Sequence, residues 1–75
     1  METNLYKMNE RTIDCLLDKM DDSSMWFASR GEAIDKMNER LVWLLRNGWW
    51  LVSADAGILT DGRSKTKVLS IHRYE

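Results

Sequence analysis

The stretch Asn47-Gly48-Trp49-Trp50-Leu51-Val52-Ser53-Ala54 constrains this chain more than any other. An apolar helix half runs into it, and glycine is the preferred left-handed residue just past a helix end. Two adjacent tryptophans then open a strand. Side chains alternate along a strand, so Trp49, Leu51 and Ser53 form one row and Trp50, Val52 and Ala54 the other. Adjacent tryptophans on a strand cannot both enter one core. One packs under whatever covers the sheet, and the other is left on the opposite face.

The helix that feeds the joint is expected over residues 32–46. Ser29-Arg30-Gly31-Glu32 is a capping box, a serine cap with a glutamate three residues on. Ile34, Met37, Leu41, Leu44 and Leu45 make one apolar stripe, which Val42 and Trp43 widen. A second helix is expected earlier, over residues 5–20, because Ile13, Leu16, Leu17 and Met20 repeat at i, i+3, i+4 and i+7. Asn4 or Asn9 would cap its start. Asp21-Asp22-Ser23-Ser24 would end it, since these side chains compete for backbone hydrogen bonds and acids are disfavoured at the negative end of a helix.

Strands are expected at residues 25–28, 49–54 and 67–74. Asp55-Ala56-Gly57 breaks the second, which Ile58-Leu59-Thr60 resumes. Asp61-Gly62 is a type I′ hairpin signal. The expected fold is therefore α+β, with element order α-β-α-β-β over a single domain, residues 1–75. A three-stranded antiparallel or mixed sheet carries two helices packed on one face. The last strand belongs at its centre, because Val68, Leu69 and Ile71 are apolar on both faces.

Size makes this fold demanding. A chain of 75 residues sits near the lower limit for an independent core and usually needs a staple. With one cysteine, Cys15, no intrachain disulfide can form, and one histidine, His72, excludes the usual structural zinc spacings. A rich aromatic core or self-association must compensate, and four tryptophans serve either end. No apolar run approaches the roughly 20 residues that span a bilayer. Met1-Glu2-Thr3-Asn4 lacks the basic and apolar regions of a signal peptide. The expectation is a cytoplasmic protein with no membrane contact, no cofactor and no metal.

Net charge is −1, so the molecule as a whole is no polyanion binder. Charge is nevertheless uneven: Glu2, Glu10, Asp14, Asp18, Asp21 and Asp22 crowd the first third, while Arg63, Lys65, Lys67 and Arg73 occupy the last. Lys7-Met8-Asn9-Glu10-Arg11 also recurs as Lys36-Met37-Asn38-Glu39-Arg40. The echo is read as coincidence between two helices built from good helix formers rather than as a duplicated unit.

No constellation of catalytic residues is visible. His72 reads as a strand-surface histidine, since no motif surrounds Ser70, Ser53 or Asp55, its potential partners. Cys15 follows an acid in mid-helix, which disfavours a thiolate, and reads as a small semi-buried hydrophobe. Asp14, Asp18, Asp21 and Asp22 lack the alternating ligands, glycine and final glutamate of a calcium loop. Arg63, Lys65 and Lys67 alternate along the hairpin return, and Arg73 can join their face, a pattern that suits single-stranded nucleic acid. Lysines on an edge strand also guard against aggregation. The tryptophans carry more weight. Trp26, Trp43, Trp49 and Trp50 are more aromatic surface than so small a domain can hide, and they form the expected protein interface.

Leu44-Leu45, Gly48-Trp49-Trp50-Leu51-Val52 and Arg73-Tyr74 together resemble a family of very short bacterial and phage domains of unknown function. Its pattern is a strand, a leucine-rich helix, Gly-Trp-x-Leu-Val and a hairpin ending in basic and aromatic residues. The resemblance covers residues 41–74 and implies a small cytosolic accessory protein, phage- or mobile-element-borne. It transfers no site residues, and the expected first helix departs from it. The expected function is a non-enzymatic interaction module, a homodimer or an inhibitor or adaptor docking a larger protein through an aromatic patch. The alternative is a nucleic-acid-binding accessory protein using Arg63, Lys65, Lys67 and Arg73.

Overall fold

A computed structural model describes residues 5–74. The order is β1 (Tyr6–Asp14), β2 (Lys19–Phe27), α1 (Arg30–Arg46), β3 (Trp50–Ser53), β4 (Ile58–Thr60) and β5 (Lys65–Arg73). All strand pairs are antiparallel, and the five-stranded sheet runs β2-β1-β5-β4-β3. The fold is α+β, with one helix on one face of the sheet.

This corrects the expected α-β-α-β-β order, its three-stranded sheet and its pair of helices. No helix occupies residues 5–20. Instead β1 and β2 form a hairpin across that segment. The helical stripe is no stripe at all: Leu16 is 83% exposed at the turn, and Leu17 and Met20 are also exposed. Asp14 makes the turn, its Oδ1 accepting from the Leu16 and Leu17 amides at 3.1 and 3.2 Å. Asp18 supplies the left-handed residue, φ +51°. Asp21-Asp22-Ser23-Ser24, expected to stop a helix, lies inside β2. Of the expected caps, Asn9 is a strand residue, and Asn4 lies outside the described residues.

The pattern that wins has period two. Met8, Glu10, Thr12 and Asp14 alternate on β1 toward the helix, and Met8, Glu10 and Asp14 are buried. On the other face, cross-strand partners match in chemistry: Asn9 with Ser24, Arg11 with Asp22, Ile13 with Met20. Ser24 donates to Asn9 at 2.9 Å, and Arg11 grips Asp22 with two bonds of 2.9 and 3.2 Å. Such pairs set strand register.

The helix and its joint form as the local chemistry dictates. Ser29 caps α1 by accepting from the Glu32 amide. At the other end the Trp49 amide donates to the Leu44 carbonyl at 3.1 Å, with Gly48 at φ +89° between them. This is a Schellman closure, and it turns Trp49 back onto the core. Leu44, Leu59 and Leu69 form that core, with Met37, Leu41 and Trp49 packed against it. Trp50 then opens β3 on the face away from α1. The last strand lies between β1 and β4 at the sheet's centre.

Asp61-Gly62 closes β4 to β5 through a loop longer than a two-residue turn, because pairing resumes only at Thr60 opposite Thr66. Asp61 Oδ1 accepts from the Arg63 and Lys65 amides at 2.8 and 3.1 Å. These bonds, the one from Arg63 first, hold its carboxyl below the usual range.

Candidate functional site

The helix covers one face of the sheet, and no element of the described chain covers the other. Register assigns the residues of that open face. It carries Trp26, Asp22 and Met20 from β2, Lys7, Arg11 and Ile13 from β1, and Val68 and His72 from β5, with Ile58 and Trp50 beyond them.

Two aromatic poles mark this face. At one corner Trp26 and Tyr74 meet with ring centroids 5.2 Å apart and planes tilted by 57°. Lys7 sits over both rings, its Nζ 5.8 Å from the Trp26 centroid and 5.4 Å from that of Tyr74. The other pole is Trp50 on the far edge strand, 69% exposed. It lies about 19 Å from the β2 edge, four strand spacings away. One cross-sheet row joins the β2 edge to this second pole, running Met20, Ile13, Thr66, Thr60, Trp50. Between the poles Asn9, Arg11, Ile13, Val68, Ser70 and His72 line a shallow depression of mixed polar and apolar character.

Arg11 and Asp22 pair on this face. Arg11 holds the Asp22 carboxyl below its usual range, first through their hydrogen bond, with Asn9 adding a second. Ser70 Oγ and His72 Nε2 lie 3.0 Å apart, two positions apart on the same exposed strand face.

The four tryptophans separate into three environments. Trp26 and Trp50 belong to the open face. Trp49 is half-buried under the helix, with Lys67 Nζ 5.1 Å above its ring. Trp43 stands exposed on the outer side of α1, stacked under the Arg40 guanidinium at 4.5 Å.

The basic residues do not gather into a groove. Lys65, Lys67 and Arg73 share the helix-side parity of β5, but Lys67 is held, partly buried, in an ion pair. Its Nζ reaches Glu10 and Thr12, each at 2.7 Å. Arg40 binds the same carboxylate at 2.6 and 3.0 Å. Burial pushes the Glu10 carboxyl up, yet bonds and charge from Arg40 and Lys67 outweigh it and hold the group below its ordinary value. Arg63 lies in the β4–β5 loop, and Arg73 lies at the other end of β5 with its guanidinium 5.9 Å from the Tyr6 ring.

Cys15 is exposed at the hairpin turn, not semi-buried as expected, with its amide donating to the Ser64 carbonyl at 2.9 Å. Among the described residues, no three His, Cys, Asp or Glu side chains are placed to hold a metal ion. No helix among them is long and apolar enough to cross a membrane. Lys7, Met20 and Tyr74 were not anticipated as site residues. The period-two alternation of residues 6–14 is the signal that points to them. No family model, curated protein or solved structure matches the chain.

Proposed function

We propose that the protein is a non-enzymatic interaction module that docks another protein on the helix-free face of its sheet. One observation carries this reading: Trp26, Tyr74, Met20 and Trp50 are all exposed on that one face. Large apolar side chains grouped on a surface mark contact sites, and aromatic anchors with a polar surround are the usual anatomy of an interface. The resemblance of residues 41–74 to short bacterial and phage domains of unknown function implies a small accessory protein of the cytosol, which is compatible with this reading. The engagement of Lys67 in a partly buried ion pair with Glu10 weighs against nucleic acid as the ligand.

A host-lysate pull-down tests the proposal in three arms: the unaltered chain, Trp26→Ser with Trp50→Ser, and Glu39→Ser on the exposed helix surface. A partner retained by the first and third arms and lost from the second supports it. A partner retained equally by all three places the contact elsewhere and overturns it, as does the absence of any retained protein.

A further inference from the structure

The two edges of the sheet are built differently. β3 is four residues long, and its pairing with β4 shifts register between Leu51 and Ser53. A short, irregular edge resists pairing with another chain. β2 is nine residues long, in unbroken register with β1, and exposed along nearly its whole length. It has no proline, no bulge, and one lysine at its extreme end. Every second residue turns its backbone N–H and C=O outward, away from β1.

We infer that β2 is a self-complementary edge through which two copies of this chain pair antiparallel about Ser23, joining their sheets into one. A two-fold axis through the edge must set each residue against one of the same facial parity. Centring on Asp22 sets that carboxylate against its own copy, and centring on Asp21 does the same. Centring on Ser24 sets both acids against Trp26 and Phe27. Centring on Ser23 avoids every directly opposed like-charge pair. Met20 then faces Trp26 of the second copy, twice by symmetry, a sulfur–aromatic pairing of two exposed side chains. Asp22 faces a Ser24 hydroxyl, Asp21 faces Met25, and Lys19 faces Phe27. The helix packs on β1, β3, β4 and β5 and meets β2 as well, yet Lys19, Asp21, Ser23 and Met25 on its side of β2 remain exposed, so a second sheet has room beside it.

This pairing goes beyond the open-face reading, and the two fail separately. A strictly monomeric chain sinks the pairing and leaves open-face docking untouched. Loss of a partner in Trp50→Ser needs no dimer.

The test is sedimentation equilibrium up to about 1 mM chain, where even a millimolar dimer is half formed. The unaltered chain is expected to approach twice its monomer mass. Ser23→Lys puts two ammonium groups opposite each other on the axis and is expected to weaken the dimer about tenfold or more, with the far-ultraviolet spectrum unchanged. Ser23→Cys in a Cys15→Ser background is expected to oxidise to a disulfide-linked dimer, because directly opposed residues have Cβ atoms about 4.5–5.5 Å apart. Thr60→Cys in the same background is expected to remain a monomer under the same oxidation. A monomer at every concentration overturns the inference. So does a dimer insensitive to Ser23→Lys that fails to cross-link through position 23.

Discussion

Glu10 and Arg40 are the fourth and fifth residues of two identical pentapeptides, and they bind each other. Glu10 belongs to Lys-Met-Asn-Glu-Arg in strand β1, and Arg40 closes the same five residues in helix α1. The guanidinium grips the carboxylate with bonds of 2.6 and 3.0 Å. Lys67 completes the site from β5 at 2.7 Å. Helix, edge-side strand and central strand are thus tied at one partly buried point.

Removing the carboxylate leaves Lys67 partly buried beside no counter-charge. Glu10→Ala is expected to cost about 3 kcal/mol, read as a lower urea midpoint at unchanged slope. Adding Lys67→Met removes the stranded charge and is expected to recover part of the loss. A Glu10→Ala midpoint equal to that of the unaltered chain contradicts this account of the site.

The same carboxylate predicts an acid limb. Its folded-state pKa lies below the ordinary 4.5, so the unfolded chain binds the proton more readily. The stabilisation is fully present above that ordinary value and drains away as pH falls through the lower folded one. Urea titrations at neutral pH and near pH 3 should therefore show a steeper loss for the unaltered chain than for Glu10→Gln, which has no proton to take up at that position. Equal losses would mean that Glu10 contributes nothing to acid sensitivity.

The two central tryptophans should separate in stability and in accessibility. Trp50→Ser is expected to change stability by no more than about 0.5 kcal/mol, because the ring rests on the open face. Trp49→Ala removes a ring packed against Leu44, Leu59 and Leu69, and a loss of about 3 kcal/mol is expected. Acrylamide quenching of single-tryptophan variants should rank Trp50 well above Trp49. The reverse order would exchange the faces of β3.

Two glycines should respond in opposite directions to alanine. Gly57 has φ +65°, and a Cβ there would drive into the Leu69 carbonyl. Its own carbonyl accepts from the Leu69 amide at 2.8 Å, stitching the loop to the central strand. Gly57→Ala is expected to destabilise by about 2 kcal/mol or more. Gly31 lies in the first turn of α1 with nothing near its vacant Cβ position. Gly31→Ala is expected to stabilise by about 0.5–1 kcal/mol. Thermal melts of the two variants check both signs.

After Ser29 the helix and its glycine joint are legible because their signals are local, but Ile58–Thr60 turns back as a separate antiparallel strand, β4, instead of resuming β3. A capping serine, a glycine past a helix end and an aromatic strand each act within a few residues. The half before Ser29 is not legible in the sequence because its decisive partners are remote. Met8-Asn9-Glu10-Arg11 is a strand because Ile71 and Leu69 lie beside it and Arg40 reaches down to it, none of which Lys7–Arg11 itself encodes. The same five letters form a helix twenty-nine positions on, so propensity could not decide. Leu16 and Leu17 deepened the error, since apolar side chains at a hairpin tip imitate a helical stripe. For the site, the opposed faces of Trp49 and Trp50 followed from strand geometry. The cluster of Trp26, Tyr74 and Lys7 did not, because it needs β1 between β2 and the end of β5.

The central position of β5 also has a consequence in time. Within the sheet, the β1–β2 hairpin and the β3–β4 hairpin touch only through β5. A ribosome delivers that strand after every other element described. Until residue 73 has emerged, the nascent chain holds two unjoined half-sheets, each with a bare edge waiting for the same missing strand. At synthesis rates of roughly 5–20 residues per second, the interval is about a second or more, and throughout it a neighbouring nascent chain could offer the same strand first.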